Sequence, residues 1–255
     1  MLEFDEAKHQ YRLNDEKIPS VTQVLSVLSK PGLEWWSYGL AVNGVLEVMR
    51  QCTVDPENPQ TAELLKKMLT KLRLSPSAVL SDSAKRGTNV HSVFSNFAGT
   101  GCLEEVADEL LGYVTSLRHF IDFFKPRIVG VEQRVYSPSL KVAGTYDALL
   151  EIDGQLVLID WKTSKRIYDS HHLQSAAYEG MRLELGETPA CPMIVRLDGQ
   201  GGEPEYVRVR ATYDDFKAAY VLWQARKRIG RKEKVSTNEE DPAETVATIP
   251  AGTRG

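Results

Sequence analysis

The chain has 255 residues, 42% of them hydrophobic and 26% charged, with a net charge of −4. That composition suits one large globular domain or two small ones and excludes a chain disordered throughout. The negative balance gives no global sign of nucleic-acid binding, so any such activity must rest on a local patch.

The opening Met1-Leu2-Glu3-Phe4-Asp5-Glu6 lacks the basic flank and apolar core of a signal peptide. The longest weakly charged stretch, Tyr38 to Met49, is far shorter than the ~20 apolar residues of a membrane helix. Cys52, Cys102 and Cys191 are widely spaced and odd in number. They make no disulfide framework and no CxxC-type zinc site, and they favour a reducing, cytoplasmic setting.

Leu2–Phe4 against Tyr11–Leu13 reads as a hairpin. Ser20-Val21-Thr22-Gln23 is a capping box after Pro19, opening a helix to Leu28 that Pro31-Gly32 ends. A second helix is expected from Leu33 through Trp35-Trp36 to about Met49, a loop over 52–60, and a third helix over Thr61–Leu72. Two longer helices follow, about Asp82–Ala98 and Glu104–Phe124, the latter stopped by Lys125-Pro126.

The period then changes. Ile128–Tyr136, Val142–Ile152 and Gln155–Lys162 are strand-like, rich in Val, Ile and Leu. Asp169 or Ser170 caps a helix to about Leu185, strands follow near Met193–Leu197 and Tyr206–Ala211, and Thr212 opens a last helix to Ile229. Residues 236–255 show no periodicity and read as a disordered tail. The implied fold is α/β: a central mixed sheet with an antiparallel hairpin, flanked by helices, under a helical N-terminal portion. Residues 1–80 are expected to pack on a core of 81–235, with 236–255 outside it.

Asp153-Gly154 between two strands is a two-residue hairpin turn, and it fixes a register in which Ile152 faces Gln155. In that register Asp147 lies opposite Asp160, with Lys162 on the same face beside Thr145, Leu149 and Leu158. The other face is expected to carry Tyr146, Ala148, Leu150, Val157, Ile159 and Trp161. Two opposed carboxylates in a covered sheet repel each other and lose hydration unless a cation joins them, and a hard divalent ion fits. The alternative is an Asp–Lys ion pair that merely tolerates its site.

Gly144-Thr145-Tyr146-Asp147 followed by Ile159-Asp160-Trp161-Lys162 resembles the G-x-x-D … D-x-K core of the PD-(D/E)xK nucleases. Arg86-Gly87-Thr88-Asn89-Val90-His91 and Gln174-Ser175-Ala176-Ala177-Tyr178 are similar to the G-x-x-x-H and Q-x-x-x-Y helices of its RecB-like exonuclease branch, which includes Cas4-type and phage-type members. Pro19-Ser20-Val21-Thr22 with Trp35-Trp36 looks like phage and mitochondrial exonucleases.

The resemblance implies a restriction-endonuclease-like core and a Mg²⁺- or Mn²⁺-dependent DNA exonuclease that releases 5′-phosphate products. Asp147, Asp160 and His91 are then metal ligands, with the Trp161 carbonyl as a further one, and Lys162 is the catalytic lysine. Gln174 and Tyr178 contact nucleic acid or brace the site. Glu132 occupies a strand where relatives often carry an acid near the metal. The three cysteines cannot supply the four ligands of the iron–sulfur cluster found in Cas4-like relatives, so no cluster is expected.

DNA is the expected partner, met by Lys85, Arg86, Lys165 and Arg166 beside the motifs. A second basic group, Arg226, Lys227, Arg228, Arg231, Lys232 and Lys234, reads equally as complement to a helix C-terminus. A phage single-strand annealing or recombination protein is a further expected partner, with no membrane and no defined oligomeric state. An endonuclease using the same site and a non-catalytic DNA-binding accessory are the competing readings.

Overall fold

The computed structural model describes residues 1–230 except 7, 9, 30, 52, 53, 56 and 104. The expected tail, Cys52, His9 and the basic residues Arg231, Lys232 and Lys234 lie outside the described residues. Among the described residues no helix is long and apolar enough to cross a membrane.

Strands β1 (Leu2–Asp5), β2 (Gln10–Leu13) and β3 (Glu16–Ile18) form a small antiparallel sheet. The third strand extends the expected hairpin; Asn14 and Asp15 turn into it with φ of 48° and 67°. Helix α1 (Val21–Val24) starts on the expected capping box, with the Ser20 hydroxyl accepting from the Gln23 N–H at 3.1 Å, and then tightens into a 3-10 turn over Leu25–Val27.

Helix α2 (Pro31–Gln51) begins at the proline that was expected to end the preceding helix. A proline fits the first turn because its missing N–H has no intrahelical partner there. Helices α3 (Thr61–Lys71) and α4 (Pro76–Thr100) follow. The second starts six residues before the expected Asp82, because Ser75 caps it and Pro76 occupies its first turn. The division drawn at residue 80 thus falls inside α4. Helix α5 (Asp108–Phe124) ends on Lys125 in the left-handed conformation.

The main sheet is mixed and five-stranded, in the order β4 (Arg127–Ser137), β5 (Val142–Ile152), β6 (Gln155–Lys162), β7 (Cys191–Arg196) and β8 (Glu205–Arg208). Only the β6–β7 pair is parallel. Helix α6 (Asp169–Glu184) makes the connection a parallel pair requires, and α7 (Tyr213–Ile229) follows β8.

Each face of the sheet is covered. On one side Val90 and Phe94 of α4 and Leu117 and Phe120 of α5 pack with Ala148, Leu150, Ile159 and Trp161. On the other, Ala177, Tyr178 and Met181 of α6 pack with Val21, Val24, Leu149, Leu158 and Phe216. The N-terminal sheet is tied to β5 by the Tyr11 hydroxyl, 2.8 Å from Thr145 Oγ1, and by the Ala143 N–H donating to the Pro19 carbonyl at 2.9 Å. Both sides converge on the end of the β5–β6 hairpin.

Candidate metal centre

The hairpin has the expected register, with Ile152 facing Gln155, Leu150 facing Val157 and Ala148 facing Ile159. Pairing between β5 and β6 stops there, one step short of Asp147 and Asp160. Beyond that point the Asp147 side chain takes the place of the missing backbone acceptor: its Oδ2 accepts the Trp161 N–H at 2.7 Å.

The cause is an inversion of β5 and β4 at one level. In β5, Tyr146 belongs to the α6-side core with Leu149, whereas Ala148 and Leu150 face α4. Strict alternation would put Tyr146 and Leu149 on opposite faces. In β4, Val135 faces the α6 side while Val131, four residues earlier, packs on the α4 side, so this strand inverts too. The inversion occurs at Glu132, whose φ is +48°, opposite Asp147. Gln133 pairs with Tyr146 and Val131 with Ala148, while Glu132 and Asp147 between them do not pair. The expected placement of Tyr146 with Ala148 is therefore corrected, because alternation assumes a regular strand and β5 is not regular at Asp147. Gly130, an isolated strand glycine, marks instead a separate bulge between Ile128 and Gly130, and nothing in the sequence pattern marks the inversion at Glu132.

The inversion brings three groups together. His91 Nδ1, presented by α4, lies 3.2 Å from Asp147 Oδ1 and 3.8 Å from Glu132 Oε1. One donor atom from each of His91, Glu132 and Asp147 falls within 4.8 Å of the other two. His91 Nε2 is 3.3 Å from the Trp161 carbonyl oxygen, so the backbone of β6 holds the other edge of the imidazole, away from the two carboxylates at Nδ1. Trp161 itself is clamped from the α4 side, its ring centroid 4.9 Å from Phe94 and 5.2 Å from Phe120. Each such aromatic pair contributes ~0.5–1.5 kcal/mol beyond its burial, which holds the end of β6 in place.

Asp160 and Lys162 lie on the α6 side of β6. Asp160 is 1% exposed; its Oδ2 is 2.6 Å from Lys162 Nζ without hydrogen-bond alignment, and its Oδ1 has no hydrogen-bond partner. A buried carboxylate oxygen without a hydrogen-bond partner is costly, and it is a donor atom a cation could use. Lys162 Nζ donates to Gln174 Oε1 at 3.4 Å, and Gln174 Nε2 donates to the Tyr178 hydroxyl at 2.8 Å. The two α6 residues therefore brace the lysine. Tyr178 is 3% exposed, and its hydroxyl lies where the second of its two expected roles, bracing the site, would place it.

The electrostatics follow from burial and proximity. Burial alone would lower the pKa of His91, but the Asp147 carboxylate outweighs it and holds the imidazolium to about 9. Burial would raise Asp147, and His91, Lys162 and the Trp161 N–H together hold it below the usual carboxylate range. Asp160 is pushed up to about 6 by burial, with Lys162 opposing and Asp147 adding repulsion. A divalent cation would replace the His91 proton and relieve the Asp147–Asp160 repulsion. One imidazole with the carboxylates of Glu132 and Asp147 suits a hard divalent ion, and Asp160, with its unpartnered Oδ1, stands outside that group of three.

The other expected site residues are spread out. Lys165 and Arg166 are exposed on the loop after β6, with the Arg166 guanidinium 5.0 Å over the Tyr168 ring. Arg86 sits about 140° around α4 from His91 by helical geometry. It lies against Tyr113 of α5, 5.6 Å from the ring centroid, and lines a cavity of about 370 Å³ with Lys85, Asn89 and Gln200. That cavity is on the far side of α4 from the carboxylates. Arg226, Lys227 and Arg228 occupy the last turn of α7, where Lys227 Nζ lies 4.2 Å over the Trp223 ring. His171 Nδ1 and His172 Nδ1 accept the backbone N–H groups of Tyr168 and Arg210, so both serve local structure.

The family model of the PD-(D/E)XK nuclease superfamily matches residues 35–248. No curated protein matches the chain. Among solved structures, the crystal structure of SSO0001 aligns with 78% of this chain and 88% of its own, at 14% identity and a TM-score of 0.33.

Proposed function

Because this chain belongs to the PD-(D/E)XK nuclease superfamily, a family of metal-dependent nucleases, we propose that it is a DNA exonuclease of the RecB-like branch, working in phage or bacterial recombination or end processing. The observation that carries the reading is the convergence of Asp147, Glu132 and His91 at the strand inversion, beside the buried Asp160–Lys162 pair.

In this reading Asp147, Asp160 and His91 would hold Mg²⁺ or Mn²⁺, with Glu132 and the Trp161 carbonyl as neighbouring donors. The ion when bound supplies a Lewis acid that polarises the phosphate and acidifies a water. Lys162, fixed by Gln174, offers a positive charge to the attacking water and to the charge growing on phosphorus. The water oxygen bonds to phosphorus, the bond to the 3′-oxygen breaks, and a 5′-phosphate and a 3′-hydroxyl result. Lys165 and Arg166 would meet the backbone of the incoming strand. The proposed setting is the cytoplasm, with DNA as substrate and a phage annealing or recombination protein as partner.

Linear and covalently closed circular DNA, single- and double-stranded, incubated with Mg²⁺ or Mn²⁺ and with EDTA, test this. The expected result is metal-dependent loss of linear DNA only. Cleavage of the circles would make the enzyme an endonuclease, and cleavage of nothing would leave a binding protein.

A further inference from the structure

We propose that Tyr146 is a positioning residue for the metal centre: its hydroxyl, bonded to Gln133, holds the joint inversion of β4 and β5 that aims Glu132 and Asp147 at His91. The inference rests on the metal-nuclease reading for its consequence but on geometry alone for its cause.

Tyr146 and Gln133 are directly opposed in the β4–β5 ladder, and the next pair, Asp147 and Glu132, is the one that fails to form. The Tyr146 hydroxyl donates to Gln133 Oε1 at 2.5 Å, a cross-strand clasp one residue from the break in each strand. A second contact crosses the break. A Cβ placed on Gly130 would collide with the Gln133 side-chain amide, so residues three apart in one strand share a face. A regular strand forbids that, since i and i+3 point to opposite sides. Gln133 therefore folds back over Gly130 only because β4 has inverted, and its amide bridges the inversion to Tyr146.

The clasp has a rigid backing. The Tyr146 ring lies 5.9 Å from the Arg182 guanidinium of α6, which is 2% exposed and paired with Glu179 at 2.7 Å and Glu187 at 2.9 Å. Tyr146 itself is 1% exposed. On the open side stands Glu132, a non-glycine residue held at φ +48°, a conformation that relaxes unless its neighbours fix it. Without the clasp, β4 and β5 can regularise at this level. Asp147 would then turn from His91 and release the Trp161 N–H it now accepts.

Tyr146→Phe keeps the ring and its packing and deletes only the hydroxyl; Gln133→Leu deletes the acceptor. Two measurements on the full chain decide the matter. The first is Mn²⁺ affinity by calorimetry, where support of a ligand by a neighbouring group is typically worth about 10–100-fold. Each variant should bind Mn²⁺ roughly tenfold or more weakly, and the double variant no worse than either alone, because both break one bond. The second needs no metal: hydrogen exchange at the Trp161 amide in EDTA should accelerate about tenfold or more in both variants, while amides of α5 keep their protection. Unchanged exchange at Trp161 overturns the proposal whatever the metal does. Faster exchange with unchanged Mn²⁺ affinity overturns its link to the metal centre. If the parent chain binds no Mn²⁺, the nuclease reading fails, and the exchange measurement still decides whether Tyr146 holds the strands.

Discussion

Gly144 of β5 lies against one edge of the Tyr178 ring on α6, so close that a Cβ at Gly144 would stand 3.1 Å from Tyr178 Cδ1 and nearer still to Cε1. The first residue of one sequence motif and the last of another are thus one packing contact, and it sets the distance of α6 from the hairpin. Through Gln174, one turn earlier on α6, the same contact sets where Lys162 is held.

Gly144→Ala should therefore act on both stability and site. The added methyl also meets Val21 at 3.3 Å, so it is crowded from a second side as well. Overpacking of this kind typically costs about 1–3 kcal/mol, read as a lower urea midpoint with unchanged slope. A variant as stable as the parent would mean that α6 can back away without penalty.

Proton linkage gives a second expectation. In the metal-free protein His91 is raised from 6.5 to about 9. A group raised on folding adds stability that is fully present below its unfolded pKa and lost as pH rises through the folded one. Thermal midpoints in EDTA should fall between pH 6.5 and about 9, and His91→Gln should remove most of that slope. Saturating Mg²⁺ should flatten it as well, because the ion binds the deprotonated ring. A fall of equal steepness with and without Mg²⁺ would place the titrating group elsewhere.

Much of this architecture was legible in the sequence, and for identifiable reasons. Asp153-Gly154 set the hairpin register because a two-residue turn leaves no slack, and the Ser20–Gln23 capping box is present because its bonds are local. Two helix starts were misplaced where a proline was read as an end, at Pro31, or passed over, at Pro76. Tyr146 was placed on the wrong face because alternation carries no information about a neighbouring strand. Its inversion is shared with β4 and depends on Glu132, 14 residues earlier, adopting a backbone conformation that no single-strand pattern encodes.

Glu132 offers a direct test of that conformation. A left-handed non-glycine residue costs on the order of 1–2 kcal/mol relative to glycine. Glu132→Gly should thus raise the unfolding free energy by about 1 kcal/mol while weakening Mn²⁺ binding through loss of the carboxylate. Glu132→Gln keeps the strain and should weaken binding without the gain in stability. If Glu132→Gly is less stable than Glu132→Gln, the side chain contributes more to the fold than its backbone costs.

Asp160 and Lys162 are expected to separate binding from chemistry. Asp160→Asn removes a buried charge that repels Asp147 and pairs with Lys162, so Mn²⁺ affinity and cleavage should both collapse. Lys162→Ala leaves the carboxylates in place and takes away the cation that competes for Asp160. Breaking a buried pair by deleting one partner typically costs about 3–5 kcal/mol, because the other charge is left uncompensated. The metal-free Lys162→Ala protein should therefore melt well below the parent, and Mn²⁺ should raise its midpoint by more than it raises the parent's, since the ion supplies the missing positive charge. Cleavage by the metal-loaded variant should nonetheless be slower by roughly 10²–10³, the usual worth of a group that stabilises charge in the transition state. Paired melts with and without Mn²⁺, alongside single-turnover cleavage, check each part. Near-parental cleavage would remove Lys162 from the chemistry, whereas an equal Mn²⁺ shift in variant and parent would show that Asp160 does not reach the ion.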